Sequence, residues 1–286
     1  MGALRALTEL AVSFDTADVL VLCYHSIRSR ERFAAHMRVL AERGYPMLSM
    51  GQFKEWLNGL APVRTPAVLL TFDGGYRDQL ENAVPVLQAF KFPATFFPVT
   101  DGLDEEVTGA SVMRRNDLLD LAKSGYTIGC HTHSHPNLTD LSVAEIQREV
   151  NGSKQILEDI LGQRVSAFCY PYGARNSLAA SVVRQSGFDV AFTVDLGGVR
   201  LGDDPYELKR VPVLGDPDSG EFSAFLSGAP PLSGALLLYW KLRERLFEWL
   251  GRSSAINTAV PSSALSWNAT LKVAARASSS SPSRVN

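Results

Sequence analysis

No stretch of about 18 consecutive apolar residues occurs in this chain of 286 residues, so no membrane-spanning helix is expected. Basic charge is not in excess either: 28 Lys and Arg stand against 30 Asp and Glu, a formal net charge of −2. That balance offers no cationic field to draw in nucleic acid, and no aromatic-plus-basic signature is present, so nucleic acid is not expected as a partner. Cysteine is scarce. Cys23, Cys130 and Cys169 fit no zinc-ribbon spacing, and an odd count makes a poor disulfide framework. Each lies in an apolar segment, where a free thiol packs as a small hydrophobe. Three buried free thiols predict a reducing compartment. The first 18 residues lack an unbroken apolar core, being interrupted by Arg5, Glu9 and Asp15, so a cytoplasmic location is expected.

What is present is ordinary in amount and ordered in arrangement. Apolar residues make up 45% and charged residues 20%, a composition that buries one sizeable core. Short apolar runs predict strands at 19–25, 67–72, 94–99, 126–130, 165–171, 189–194 and 209–214. Helices are predicted between most of them, at 31–43, 50–59, 78–90, 114–124, 143–161 and 177–186. The first should bury Phe33, Met37, Leu40 and Ala41 and stop at Gly44. The helix at 143–161 is bounded by a capping box of Ser142 and Glu145 and by Gly162. Strands alternating with helices, several reading as continuous apolar runs, predict an α/β domain with a mostly parallel sheet. Seven strands in succession favour a barrel, whose chemistry belongs where strands end and loops begin.

The organisation expected is a lead-in at 1–17, one domain at 18–230, an amphipathic helix at 231–252 and a disordered tail at 253–286. In the segment 234–252, Leu238, Tyr239, Leu242, Leu246, Trp249 and Leu250 share one face, against Lys241, Glu244, Arg245 and Glu248 on the other. Such a helix packs on the domain or lies on a membrane surface as a peripheral contact. The tail carries no acidic residue and ends in a serine run, a composition that cannot bury a core.

Three of the five histidines, His131, His133 and His135, fall within five residues directly after a predicted strand. His131 and His135, four apart, can aim two imidazoles at one point, and neutral imidazole is a common zinc ligand. His133 lies between them and should point elsewhere. Asp73 abruptly ends another apolar strand and is followed by Gly74 and Gly75, which permit a sharp turn. A lone buried carboxylate is costly, so Asp73 needs a capping role or a site. Pro171, Tyr172 and Gly173 form a turn after a third strand, and His25 ends the first. Taken alone, a strand-end His is more often structural than catalytic, and the turn by itself is weak evidence of a site.

Together these segments resemble the polysaccharide deacetylase family, also known as the NodB-homology domain or carbohydrate esterase family 4. Its motif TFDDG is met here as TFDGG (71–75), HTxSHP as HTHSHP (131–136), and RPPYG as CYPYG (169–173). The likeness extends over roughly 18–228. The family's closing L-x-x-H motif is supplied at the front by Leu22-Cys23-Tyr24-His25, the order of a circularly permuted branch similar to the poly-N-acetylglucosamine deacetylases. The resemblance implies a distorted (β/α)7 barrel. It also implies a divalent metal on His131 and His135, Zn2+ first, with Co2+ or Ni2+ as alternatives. Asp73 is implied as general base, His25 as general acid across the site from Asp73, and the Tyr172 backbone in the Pro171–Gly173 turn as an oxyanion donor.

The implied reaction removes an acetyl or similar small acyl group from an N-acylated sugar or glycan. Two departures from the family pattern stand out. Gly74 replaces the usual metal-binding Asp, and Cys169 replaces an Arg found in many members. Asp195 is a weak match to a fourth motif. The first departure leaves open a catalytically impaired homologue that binds or scaffolds glycans. A deformylase on a lipid-linked sugar is a further alternative. Replacing Asp73 by Asn is expected to abolish turnover while sparing the fold and the bound metal, and Gly74→Asp to tighten metal binding.

Overall fold

A period-two alternation along each strand decides where every side chain goes, and it sorts the core into two sets. The computed structural model describes residues 17–103, 112–213 and 216–227. The segments 234–252 and 253–286 therefore lie outside the described residues, as does most of the lead-in. The chain divides into units 1–230 and 231–286, and all described residues belong to the first.

The elements are β1 (Val19–Tyr24), α1 (Arg30–Glu42), β2 (Met47–Leu48), α2 (Met50–Leu57), β3 (Ala67–Gly74), a π-helical turn (Gln79–Ala83) running into α3 (Val84–Phe90), and β4 (Thr95–Pro98). They continue with α4 (Arg115–Lys123), β5 (Thr127–Ile128), α5 (Val143–Leu161), β6 (Ala167–Cys169), α6 (Ser177–Gln185), β7 (Val190–Leu196), β8 (Leu208–Pro212) and α7 (Ser219–Leu226). Strand order is β5-β4-β3-β1-β8-β7-β6, all neighbours parallel, with β2 beside β3. A single parallel bridge between Cys130 and Phe168 joins the two ends. The result is a nearly closed barrel of seven parallel strands, the architecture expected of the (β/α)7 type.

Odd-numbered residues of β1, β3 and β6, including Val19, Val21, Ala67, Leu69 and Ala167, face the lumen with Phe97, Val190, Phe192 and Leu208. Met50, Phe53, Trp56 and Leu57 of α2 join this cluster at the end where the strands begin. Lys54 secures that end through a 2.8 Å ion pair with Asp189, just ahead of β7. Leu20, Leu22, Tyr24, Val68, Leu70, Phe72, Phe96 and Phe168 face outward and pack under the helices. Burying each such side chain contributes about 1.5–3 kcal/mol.

Local signals set the boundaries. Ser142 accepts from the Glu145 backbone N–H while Glu145 caps Ser142 in return, and Gly162 ends α5 with φ of 64°. The α1 face differs from expectation: Ala41 is exposed and His36 is buried with Phe33, Met37 and Leu40. His36 stacks on Phe222 at 4.2 Å and bonds the Pro217 carbonyl through Nε2 at 2.8 Å, fastening α7 to α1. No helix among the described residues is long and apolar enough to cross a membrane.

Candidate functional site

The same alternation that buries Ala67 and Leu69 in the lumen continues to Thr71 and Asp73 at the carboxyl end of β3. Asp73 is consequently 1% exposed. A carboxylate so placed needs compensation, and a residue from the last strand supplies it. Arg210, in β8, is fully buried and grips Asp73 in bidentate fashion, Nη1 to Oδ1 at 2.8 Å and Nη2 to Oδ2 at 2.6 Å. Its other donors reach the Thr193 carbonyl at 2.6 Å, Thr71 Oγ1 at 3.3 Å and Cys169 Sγ at 3.0 Å. The planar fork matches a carboxylate in a way a lysine could not. Burial would push the Asp73 carboxyl up, but the charge and hydrogen bonds of Arg210, aided by His131 and His25, hold it far below the usual carboxylate range. Asp73 is thus an oriented, ionised carboxylate.

The thiols of Cys169 and Cys23 both lie against Asp73 Oδ2, at 3.3 and 3.5 Å. All three cysteines are free and buried. Burial raises the Cys169 and Cys23 thiols well above their ordinary range, so both stay protonated. Arg210 brings its guanidinium to the Asp73–Cys169 contact from another strand.

His131 follows the barrel-closing bridge at Cys130. Its Nδ1 bonds the Cys169 carbonyl at 2.8 Å, which requires the proton on Nδ1 and leaves Nε2 as a lone pair. His135 returns in a tight loop, with positive φ at Thr132 (66°) and His135 (59°). The two Nε2 atoms face each other at 3.1 Å. Burial lowers the pKa of both rings, that of His135 to about 3 with further help from His131. His133 points away, as expected, bonding Thr100 Oγ1 at 3.0 Å. Glu149 of α5 holds the loop: it accepts from the backbone N–H groups of His133 (2.9 Å) and Ser134 (2.8 Å) and from Ser134 Oγ (2.7 Å).

His25 lies just past β1, with its Nε2 4.0 Å from Asp73 Oδ2. It stands beside the carboxylate and not across a gap wide enough for an ion and a carbonyl, which corrects the arrangement drawn from the motif order. Gln79, fully buried, ties the two segments together by donating to the carbonyls of His25 (2.9 Å) and Asp73 (2.8 Å). In the Pro171–Gly173 turn, Tyr172 has φ of 59° and its ring meets His135 edge-on at 4.6 Å. Gly173 is required there, since a Cβ would come within 2.3 Å of Val194. Its N–H bonds the Tyr170 carbonyl at 2.9 Å and Pro171 has none, so neither supplies an oxyanion donor. Asp195 pairs with Arg175 at 2.8 Å.

Sequence reasoning brought Asp73, His25, His131, His135 and Tyr172 to one barrel end but missed Arg210, Glu149 and Gln79. For Arg210 a signal existed: in β8 Lys209 is exposed and Arg210 alternates inward. Glu149 and Gln79 had no comparable mark.

Comparison with known proteins agrees with this geometry. Residues 61–191 match the profile of the polysaccharide deacetylase family. The chain is 27% identical over 217 residues to the Bacillus subtilis (strain 168) protein YxkH, itself assigned to the polysaccharide deacetylases, covering 73% of this chain and 76% of that one. It is 25% identical over 253 residues to the poly-beta-1,6-N-acetyl-D-glucosamine N-deacetylase of Escherichia coli (strain K12), covering 74% of this chain but only 37% of the E. coli protein. Among solved structures, IcaB from Ammonifex degensii superposes with a TM-score of 0.67 at 26% identity, covering 74% of this chain and 97% of that one. A barrel with histidine and aspartate motifs converging at its carboxyl end thus resembles the polysaccharide deacetylases both in sequence, over residues 61–191, and in fold.

Proposed function

We propose that this chain is a metal-dependent carbohydrate N-deacetylase that hydrolyses the acetamido group of an amino sugar, with β-linked N-acetylglucosamine polymers the first substrate class to try. The observation that carries this reading is the convergence of the Nε2 atoms of His131 and His135, that of His131 left as a lone pair by its Nδ1 hydrogen bond, at the barrel end that holds an ionised Asp73.

The histidine pair fits a divalent ion. The two Nε2 atoms lie 3.1 Å apart, near enough for one ion to be held by both. Burial keeps both rings neutral, the form that binds metal. Position 74 is glycine and supplies no acidic ligand; Asp73 clusters with His131 and Cys169, but among the described residues no such group of three ligand atoms includes His135. Zinc, cobalt and nickel suit such imidazole ligands. A bound ion would supply Lewis-acid polarisation of the acyl carbonyl and acidify the attacking water.

The chain's own residues account for the proton movements. Water forms the new C–O bond as Asp73 takes its proton. Arg210 fills one acceptor position on each carboxylate oxygen, leaving others to receive that proton. A carboxylate held so far down is a weak base, which suits it only to a water whose acidity has been raised. His25 delivers a proton to the nitrogen as the C–N bond breaks, so the products are acetate and a free amine.

A second reading, a glycan-binding module without bound metal, is favoured by the glycine at position 74. One experiment separates the two. Metal content is measured on protein purified without added metal, and acetate release is followed from N-acetylated sugars and oligomers with zinc or cobalt. Metal-dependent release that is lost in Asp73→Asn supports the enzyme. Binding to oligomers with no release and no retained metal supports the module.

A further inference from the structure

At Gly74 the backbone has φ of +87°, and a Cβ built there would come within 2.6 Å of Cε2 and 3.1 Å of Cζ of Tyr76. Real side chains do not approach so closely. The Tyr76 ring therefore lies in the space where an acidic side chain at position 74 would begin. Its backbone is anchored on both sides: the Tyr76 carbonyl accepts from the Gln79 N–H at 3.1 Å, and Tyr76 bridges to Val112 next to a 2.8 Å bond from the Met113 N–H to Gly75. The ring is half-buried, and no described residue hydrogen-bonds its hydroxyl. That hydroxyl sits in the field of Asp78, Asp73 and Tyr172, which together with burial raises the phenol's pKa and keeps it a neutral O–H donor. Asp73 is the base of the proposed reaction, and the Tyr172 ring meets His135 edge-on at 4.6 Å.

We infer that Tyr76 is a catalytic residue: its hydroxyl donates a hydrogen bond to the acyl oxygen as negative charge builds there, and Gly74 is the residue that admits the ring. The inference rests on the deacetylase reading and deepens it. An acidic ligand at position 74 would bring negative charge to this corner. A phenol brings a hydrogen-bond donor, which acts on a developing oxyanion with the opposite sign.

Tyr76→Phe removes the hydroxyl and keeps the ring, so the fold should survive. Three quantities are measured in zinc-supplemented protein: steady-state rates on an N-acetylglucosamine oligomer, zinc stoichiometry, and acetate binding by calorimetry. The expected result is a kcat about 10²-fold lower, the usual cost of one oxyanion donor, with KM and zinc content unchanged and weaker acetate binding. Gly74→Ala, which forces the ring aside, should lower kcat similarly, and the double variant should lose little more than either single one. A kcat within about threefold of wild type, where one donor should matter by about 10², overturns the inference. So does loss of zinc from Tyr76→Phe, which would make the phenol a ligand. Wild-type protein that binds acetate in a Tyr76-dependent way but releases none from any amide overturns the deacetylase reading and leaves the donor assignment standing. Protein that neither binds acetate nor turns over overturns both.

Discussion

The His131–Pro136 loop and the Asp73–Tyr76 turn both follow barrel strands, yet they are held in different ways. The loop keeps its whole motif, and its backbone is clamped by distant side chains: Glu149 with three hydrogen bonds, Thr100 through His133, and the Cys169 carbonyl through His131. The turn has lost part of its motif and is rebuilt from within, by two positive-φ glycines and the Tyr76 ring that fills the vacated space. An intact motif can depend on residues that no motif contains, and an altered one can be repaired by its own neighbours.

The strongest way to break the turn is Asp73→Asn. It should lower kcat by about 10²–10⁴ through loss of the base. It should also destabilise the fold by about 3–5 kcal/mol, because Arg210 is left as a buried cation without its anion. The structure thus reverses the expectation that this variant leaves the fold intact. Urea denaturation checks it, and Arg210→Met added to Asp73→Asn should recover stability but not activity.

Next in size is Glu149→Ala, which removes the loop's clamp without touching a candidate ligand. Metal affinity and turnover should fall by about 10–100-fold, as when outer-shell support of a ligand is lost. Glu149→Gln retains a carbonyl acceptor and should recover part of the loss. Equal calorimetric affinity in all three proteins would show that the loop holds its own shape.

The two regions also differ in the pH range over which they matter. The folded pKa of His135 is about 3 and that of His131 is lowered, against an unfolded value of about 6.5. The unfolded chain therefore binds more protons between those limits. Stability of the metal-free protein should be full above about pH 6.5 and fall as pH drops toward 3. Asp73, also depressed, adds loss in the same direction only below the ordinary carboxylate range. Urea midpoints from about pH 8 to 4 test this, with His135→Gln expected to flatten the slope.

The smallest effect on metal binding is expected from Gly74→Asp, although its Cβ should displace the Tyr76 ring and lower kcat as Gly74→Ala does. Position 74 has φ of +87° and the Tyr76 ring stands 2.6 Å from the new Cβ, so the carboxylate cannot simply take up a ligand's place. Metal affinity should stay close to wild type, which revises the gain anticipated from the motif alone. A clear increase by calorimetry would show that the carboxylate reaches the ion once the ring is displaced.

Much of this was legible in the chain. Helix α5 is bounded where Ser142, Glu145 and Gly162 said it would be, because caps are local. β5 pairs over Thr127–Ile128, shorter than the apolar run 126–130, since Cys130 pairs with β6 through an isolated bridge. Helix α7 went unpredicted; its hold on α1 comes from the long-range stack of Phe222 on His36. The site divides in the same way. Residues carried by motifs were readable, whereas Arg210 meets Asp73 across 137 positions, and only the closed barrel brings them together.

The barrel seam has a consequence of its own. Cys130 N–H bonds Ala167 C=O at 2.9 Å and Cys169 N–H bonds Cys130 C=O at 2.8 Å. The next rung of a parallel ladder would come from the backbone of residue 132, but Thr132 turns away with φ of 66°. The His131 ring takes that rung, donating to Cys169 C=O at 2.8 Å. One imidazole nitrogen thereby completes the sheet while the other faces His135, so the aim of the site is slaved to the alignment of two strands. A slip of one residue between β5 and β6 would exchange the faces of the segment and silence the chemistry with every reactive side chain still in the sequence.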